Sequence, residues 1–321
     1  MIERMTVAWW AGQMLAPGAA VVALVALPSV VDAYILYWAT TVLMYVALTL
    51  AWDILARTGQ VSFGHAAFFG LGAYIATLAS ASWGFGQIAS MLLAGVMVAI
   101  LATMGSVLFL RVRGIYFAIL TLALAEVLKV CATMLADMTG GAMGLSAPPL
   151  FGGDVTKGYM FILVVVMSIV AGLSILPRTK YHFGITAIRS SPEVAAAFGV
   201  PVKLIRIVVF GVSAGLTGLV GAFYAFFTTY INPESAFDSA ISVAPVIMSI
   251  FGGLYSIPGA LIGAVTLTLL QEYLRTTFEY GYLVIYGLLL VISILFMPKG
   301  VWGFVCGLRN RRLRSTQRAE S

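Results

Sequence analysis

From Thr58 to Leu110 the chain runs for 53 residues without one Asp, Glu, Lys or Arg. A soluble domain carries about 25% charged residues to clothe its surface. A gap of this length therefore places the segment in lipid or deep inside protein. It is not isolated: Ala33–Trp52, Gly158–Pro177, Ile207–Pro233, Ser239–Gln271 and Tyr280–Pro298 are also free of charge, and Gly114–Ala136 is broken only by Glu126 and Lys129. Over all 321 residues 61% are hydrophobic and 9% charged. About 20 apolar residues suffice for one helical crossing of a bilayer. The expected fold is all-α, a polytopic transmembrane helical bundle in one domain over 1–321.

Thr58–Leu110 is long enough for two crossings joined near Ser80–Gln87. The first apolar run, Met14–Val31, reads as a retained membrane helix and not as a cleaved signal, because it contains Pro17 and Pro28 and leads into another apolar run. Lys and Arg favour the cytoplasmic loops. With both termini inside, 15 of the 18 basic residues fall inside; Lys157 and Arg275 fall outside and Lys129 within a helix. Lys203 and Lys299 then share a face, so an even number of crossings separates them. Ser239–Gln271 would be about 50 Å long as one helix, too long for a simple pass. Gly252-Gly253 and Pro258-Gly259 break it, which predicts two helices meeting at a tight inner turn. The total is about ten crossings, with a basic cytoplasmic tail over 305–321.

The net charge of +6 sits in short clusters between apolar runs and not along one face, so no nucleic acid is implied. Cys131 and Cys306 lack metal-ligand spacing. His65 and His182, the only histidines, have no partners for zinc or for a nucleophile. No Gly-x-x-x-x-Gly-Lys-Ser/Thr phosphate loop, Gly-x-Ser-x-Gly elbow or His-Glu-x-x-His pair is present. No metal, catalytic residue or cofactor of its own is expected. Glu126 and Lys129, three apart on one helix face, are positioned to pair. Ionisable groups at membrane depth face the bundle interior or a cavity, so Glu126 is either half of a structural ion pair or part of a solute path. Gly211, Gly215, Gly218 and Gly221 recur at helical spacing, which suits close helix packing.

The inside loop 177–206 contains Ser191 as an N-cap, Pro192 at the first helical position, Glu193 in the first turn, three alanines, then Gly199 and Pro201. These are the start and stop signals of a short helix of about two turns. Glu193, Ala195, Ala196 and Gly199 resemble a degenerate form of the acidic-Ala-Ala…Gly loop of ABC importer permeases, with Val194 interrupting it. The string Gly59-Gln-Val-Ser-Phe-Gly-His-Ala-Ala-Phe-Phe-Gly-Leu-Gly-Ala-Tyr74 resembles a signature of branched-chain amino-acid ABC transporter permeases. That resemblance continues through Leu110–Leu122, Glu126, Thr139–Leu145, Phe251–Gly263 and Pro298-Lys-Gly300.

The family resemblance implies a permease subunit of the bacterial inner membrane. It implies partnership with a second, related but different permease, two cytoplasmic ATP-binding subunits that bind the ATP, and an extracytoplasmic solute-binding protein. Glu193, Ala195, Ala196 and Gly199 would couple to the ATPase. Gln60, Ser62, Gly64, His65 and Glu126 are candidates for the translocation path, or, for the polar Gly59–Gly72 stretch, for internal packing. An ion-coupled secondary transporter, with Glu126 as its coupling carboxylate, and an intramembrane enzyme are the other classes.

Overall fold

The computed structural model describes residues 21–109, 112, 114–278 and scattered positions between 284 and 306. Eight helices among them are long and apolar enough to cross a membrane. Seven are continuous: α1 (Ala33–Ala56), α2 (His65–Trp83), α3 (Gln87–Phe109), α4 (Ile115–Met134), α6 (Val155–Ile175), α9 (Val202–Thr228) and α12 (Ile257–Thr277). The eighth comprises the short α10 (Pro233–Ala236) and α11 (Ser239–Gly252). Shorter pieces connect them: α5 (Ala136–Thr139), α7 (Lys180–Ser190), α8 (Pro192–Ala197), and the strands β1 (Leu145–Ser146) and β2 (Tyr230–Ile231), which pair antiparallel. Residues 14–20 of the expected first crossing, most of the last and most of the 305–321 tail lie outside the described residues.

Helices are the form that lipid demands, because they satisfy backbone N–H and C=O groups within one segment. Their ends are set by local chemistry. The Asp154 carboxylate accepts from Lys157 N and caps α6. That hydrogen bond, together with the Lys157 ammonium at 3.1 Å, holds the Asp154 carboxyl below the usual carboxylate range. The α2–α3 turn spans Gly84–Gly86, as the sequence predicts. Ser239–Gln271 likewise divides into α11 and α12 around Gly253–Ser256, with Ser256 capping α12.

α1 is the centre of the bundle, with 72% of its span buried, against 28% for α4. Leu43, Val46, Leu50 and their neighbours pack against α6 and α9, where Phe161 stacks on Phe223. α2 and α9 cross so closely that a Cβ on Gly72 would collide with the Gly218 carbonyl, and one on Gly221 with the Phe69 carbonyl. Small residues at a crossing let backbones touch and gain dispersion where lipid offers no hydrophobic driving force between helices. The glycines of the α9 run are therefore packing residues.

Candidate functional site

The end of α1, the loop 57–64, the start of α4, the tip of the α11–α12 hairpin and the helices α7 and α8 all meet at one end of the bundle. A cleft of about 470 Å³ opens there, lined by Thr58, Gly59, Gln60, Arg189, Glu193 and Arg206 among others.

α8 is the short helix that the sequence predicts. The Ser191 hydroxyl accepts from Val194 N, and Pro192 occupies its first turn. Gly199 follows at φ +80°, a left-handed conformation that suits glycine after a helix C-terminus. Glu193, Ala196 and Gly199 are exposed, whereas Ala195 is buried at 2% and anchors the helix to the bundle. Val194 and Phe198 are also exposed, Phe198 at 85%. An aromatic residue left in the open at the tip of a helix is a stronger contact feature than the alanines named from sequence. The eleven-residue α7 that precedes α8 was not expected. Lys180, His182 and Arg189 make it polar enough to read as a loop.

Arg189, at the end of α7, ties this region to the membrane core. Its guanidinium carbon lies 4.3 Å from the centroid of the Tyr255 ring, a cation–π distance. Gly59, at φ +81°, lies against the Arg189 backbone. Tyr255 forms the hairpin tip at φ +64°, which for a residue with a Cβ costs about 1–2 kcal/mol. Its N–H donates to Asp53 Oδ1 at 3.0 Å. Asp53 Oδ2 accepts from Arg57 Nε at 2.8 Å. Asp53 is fully buried in α1, so Glu126 and Lys129 are not the only charges set among membrane helices. The i,i+4 spacing of Asp53 and Arg57, at the close of a charge-free run, is the sequence signal that could have found this pair.

The stretch from Gln60 to His65 packs inside the bundle. The Ser62 carbonyl accepts from Trp52 Nε1 at 2.9 Å, and the Ser62 hydroxyl accepts from Gly64 N at 3.1 Å. A Cβ on Gly64 would lie 2.7 Å from the Thr121 carbonyl oxygen, so α2 begins pressed against α4. His65 Nε2 is 3.1 Å from Ser213 Oγ, and that hydroxyl donates its only proton to Ala51 O at 2.7 Å. Nε2 must therefore carry the hydrogen. Ser62 and His65 are wholly buried, while Gln60, 7% exposed, lines the cleft.

Glu126 and Lys129 do not pair. The Lys129 ammonium lies 3.5 Å from Glu234 Oε1, at the start of α10. Glu126 is exposed on α4 and makes no hydrogen bond or ion pair among the described residues. Also among the described residues, no three of His, Cys, Asp and Glu come together as metal ligands would.

Residues 34–293 match a family model described as branched-chain amino acid transport system / permease component. The chain is 25% identical over 293 residues to the high-affinity branched-chain amino acid transport system permease protein LivM of Escherichia coli, covering 82% of this chain and 68% of that one. It is 26% identical over 184 residues to LivH, a permease protein of the same named system in the same organism, covering 52% and 58%. It is 24% identical over 287 residues to the permease protein BraD of Pseudomonas aeruginosa, covering 82% and 92%. No solved structure matches.

Proposed function

Since this chain belongs to the branched-chain amino acid transport system permease family, we propose that it is a membrane-spanning subunit of an ATP-binding-cassette importer that carries branched-chain amino acids or related small polar solutes across the inner membrane. The observation that carries the reading is α8. It is a capped helix at one end of the bundle that exposes Glu193, Val194, Ala196 and Phe198. In this reading that end is cytoplasmic, together with both termini, and α8 docks on one of two ATP-binding subunits that bind and hydrolyse the ATP. A solute-binding protein delivers cargo at the other end, and a second permease completes the path. Movement of α8 passes through α7 and Arg189 to Tyr255, and from there to the α11–α12 hairpin and Asp53. Gln60 and Glu126 face the path, while Ser62, Gly64 and His65 hold the helices that border it.

The test is uptake of labelled leucine into proteoliposomes holding the chain with its partner subunits. Uptake is expected to require ATP and both ATPases. It should fall about tenfold or more in a Glu193→Arg/Gly199→Val variant that still reaches the membrane, because tenfold corresponds to only about 1.4 kcal/mol of docking energy. Leucine uptake that persists without any ATPase would replace this reading with an ion-coupled carrier.

A further inference from the structure

The cleft at the end of the bundle has walls from two units that meet as at a joint. Ile188, Arg189 and Glu193 belong to α7 and α8, the unit that moves in the importer reading. Gln60, Val61 and Val112 belong to the loop 57–64 and the approach to α4, and Arg206 to the start of α9. Anything seated in the cleft therefore touches both the coupling unit and the bundle. Its volume of about 470 Å³ falls within the range of about 300–1,000 Å³ usual for small-molecule sites.

The lining combines three kinds of group. Arg189 and Arg206 bring guanidinium groups, whose forked N–H donors match a carboxylate. The Arg189 guanidinium lies over the Tyr255 ring, and one that stacks by its face keeps its donors at the edge. Glu193 brings a carboxylate, the counterpart of an ammonium group. Gln60 is 7% exposed; its amide oxygen accepts from Thr58 Oγ1 at 3.4 Å, and its amide nitrogen donates to none of the described residues. So deeply placed a donor is normally answered by an acceptor. The remaining wall, with Val61, Val112, Phe117 and Ile188, is apolar. A purely anionic ligand such as a lipid phosphate meets Glu193 as a like charge. A purely apolar ligand offers nothing to the two guanidinium groups or to Gln60. A molecule with a carboxylate, an ammonium group and an aliphatic side chain answers all three.

We propose that this cleft binds a free aliphatic amino acid from the cytoplasm and that its occupation slows import. The inference rests on the importer reading given above, which puts this end of the bundle on the product side. The ligand carboxylate sits at Arg189 and Arg206, its ammonium at Glu193, and its side chain against Val61 and Val112. It then joins α7 and α8 to the loop 57–64 across the joint that has to move. A ligand that favours one of two arrangements shifts the population towards it. Accumulated product thus holds α8 against the bundle and checks further uptake.

The test loads ATP and unlabelled leucine into proteoliposomes holding the full complex, with solute-binding protein and labelled leucine outside, and reads the initial rate of uptake. Saturating luminal leucine should slow it about fivefold, the low end of ordinary coupling between two sites. Luminal isocaproate, which lacks the ammonium group, and leucinamide, which lacks the carboxylate, should not slow it. Photo-leucine, the diazirine analogue of leucine, is then irradiated in the lumen and the labelled peptides are mapped. A label within 58–63 or 188–193 that excess leucine removes is expected. Arg206→Gln, and Val61→Trp, which fills the cleft, should each bring the ratio of rates with and without luminal leucine close to one. ATP-dependent uptake indifferent to luminal leucine, a label confined to other parts of the complex, slowing matched by isocaproate, or full slowing in both variants would each overturn this inference and leave the importer reading standing. A competed label in the cleft without ATP-dependent uptake would defeat the importer reading and leave the binding site standing.

Discussion

Asp53 and Glu126 are both carboxylates within helices long enough to cross the membrane, and their surroundings are opposite. Asp53 has no exposed surface, two of its oxygens are satisfied by Arg57 and Tyr255, and it holds the end of α1 to the hairpin tip. Glu126 is exposed on the least buried of the eight spans, with no polar partner among the described residues. A buried ion tolerates low dielectric only when its lone pairs are met, and Asp53 is provided for by its own chain. Glu126 is not. The contrast separates a charge that builds the subunit from one that requires something outside it.

Replacing Asp53 is the largest test of that contrast. Asp53→Leu leaves the Arg57 guanidinium buried without its counter-charge and strips the Tyr255 N–H of its acceptor. Breaking such a pair from one side costs about 3–5 kcal/mol. The purified chain should lose most of its thermal unfolding transition and elute as aggregate. Asp53→Leu/Arg57→Leu should recover much of the loss, since removing both charges leaves no orphan. A stable single variant would show that Asp53 does not hold α1 to the hairpin.

The fate of these charges also marks what could be read from sequence. Spans follow from one-dimensional bookkeeping of charge, and the hairpin at Gly253–Ser256 follows from glycine and proline breaks together with loop charge. The α8 helix is legible because Ser191, Pro192 and Gly199 act within a few residues of one another. Contacts between distant segments are not encoded this way. Lys129 is within reach of Glu126 along one helix, but the fold brings Glu234 to it from 105 positions later. The seating of Tyr255 over Asp53, and of Arg189 over Tyr255, depends likewise on how three helices and a loop converge. The burial of Ser62 and His65 has the same origin: the polar residues are visible in sequence, but Trp52 and Ser213, which answer them, come from α1 and α9.

Glu126 should respond to substitution in the opposite sense from Asp53. Glu126→Leu removes an outward charge near mid-span and replaces it with an apolar side chain. Insertion of the α4 segment should improve on the order of 2–3 kcal/mol, read as the fraction of a glycosylation-tagged α4 reporter that spans the membrane. Leucine uptake by the assembled complex should nevertheless fall. Easier insertion with weaker transport is the signature of a charge retained for transport and not for stability. Poorer insertion in the leucine variant would erase the distinction from Asp53.

The smallest effect is expected at Lys129, and it sharpens the comparison by adding a third environment. Its partner Glu234 has a side chain 87% exposed, and the Lys129 side chain is 28% exposed at 3.5 Å separation. A pair so open to solvent on one side is worth about 0–1 kcal/mol. Lys129→Ala should therefore shift the unfolding midpoint of the isolated chain only slightly, far less than Asp53→Leu. Added salt should remove even that difference, because the pair lies within reach of mobile ions. A loss as large as that of Asp53→Leu, persisting in high salt, would mean that Lys129 neutralises Glu126 inside the subunit.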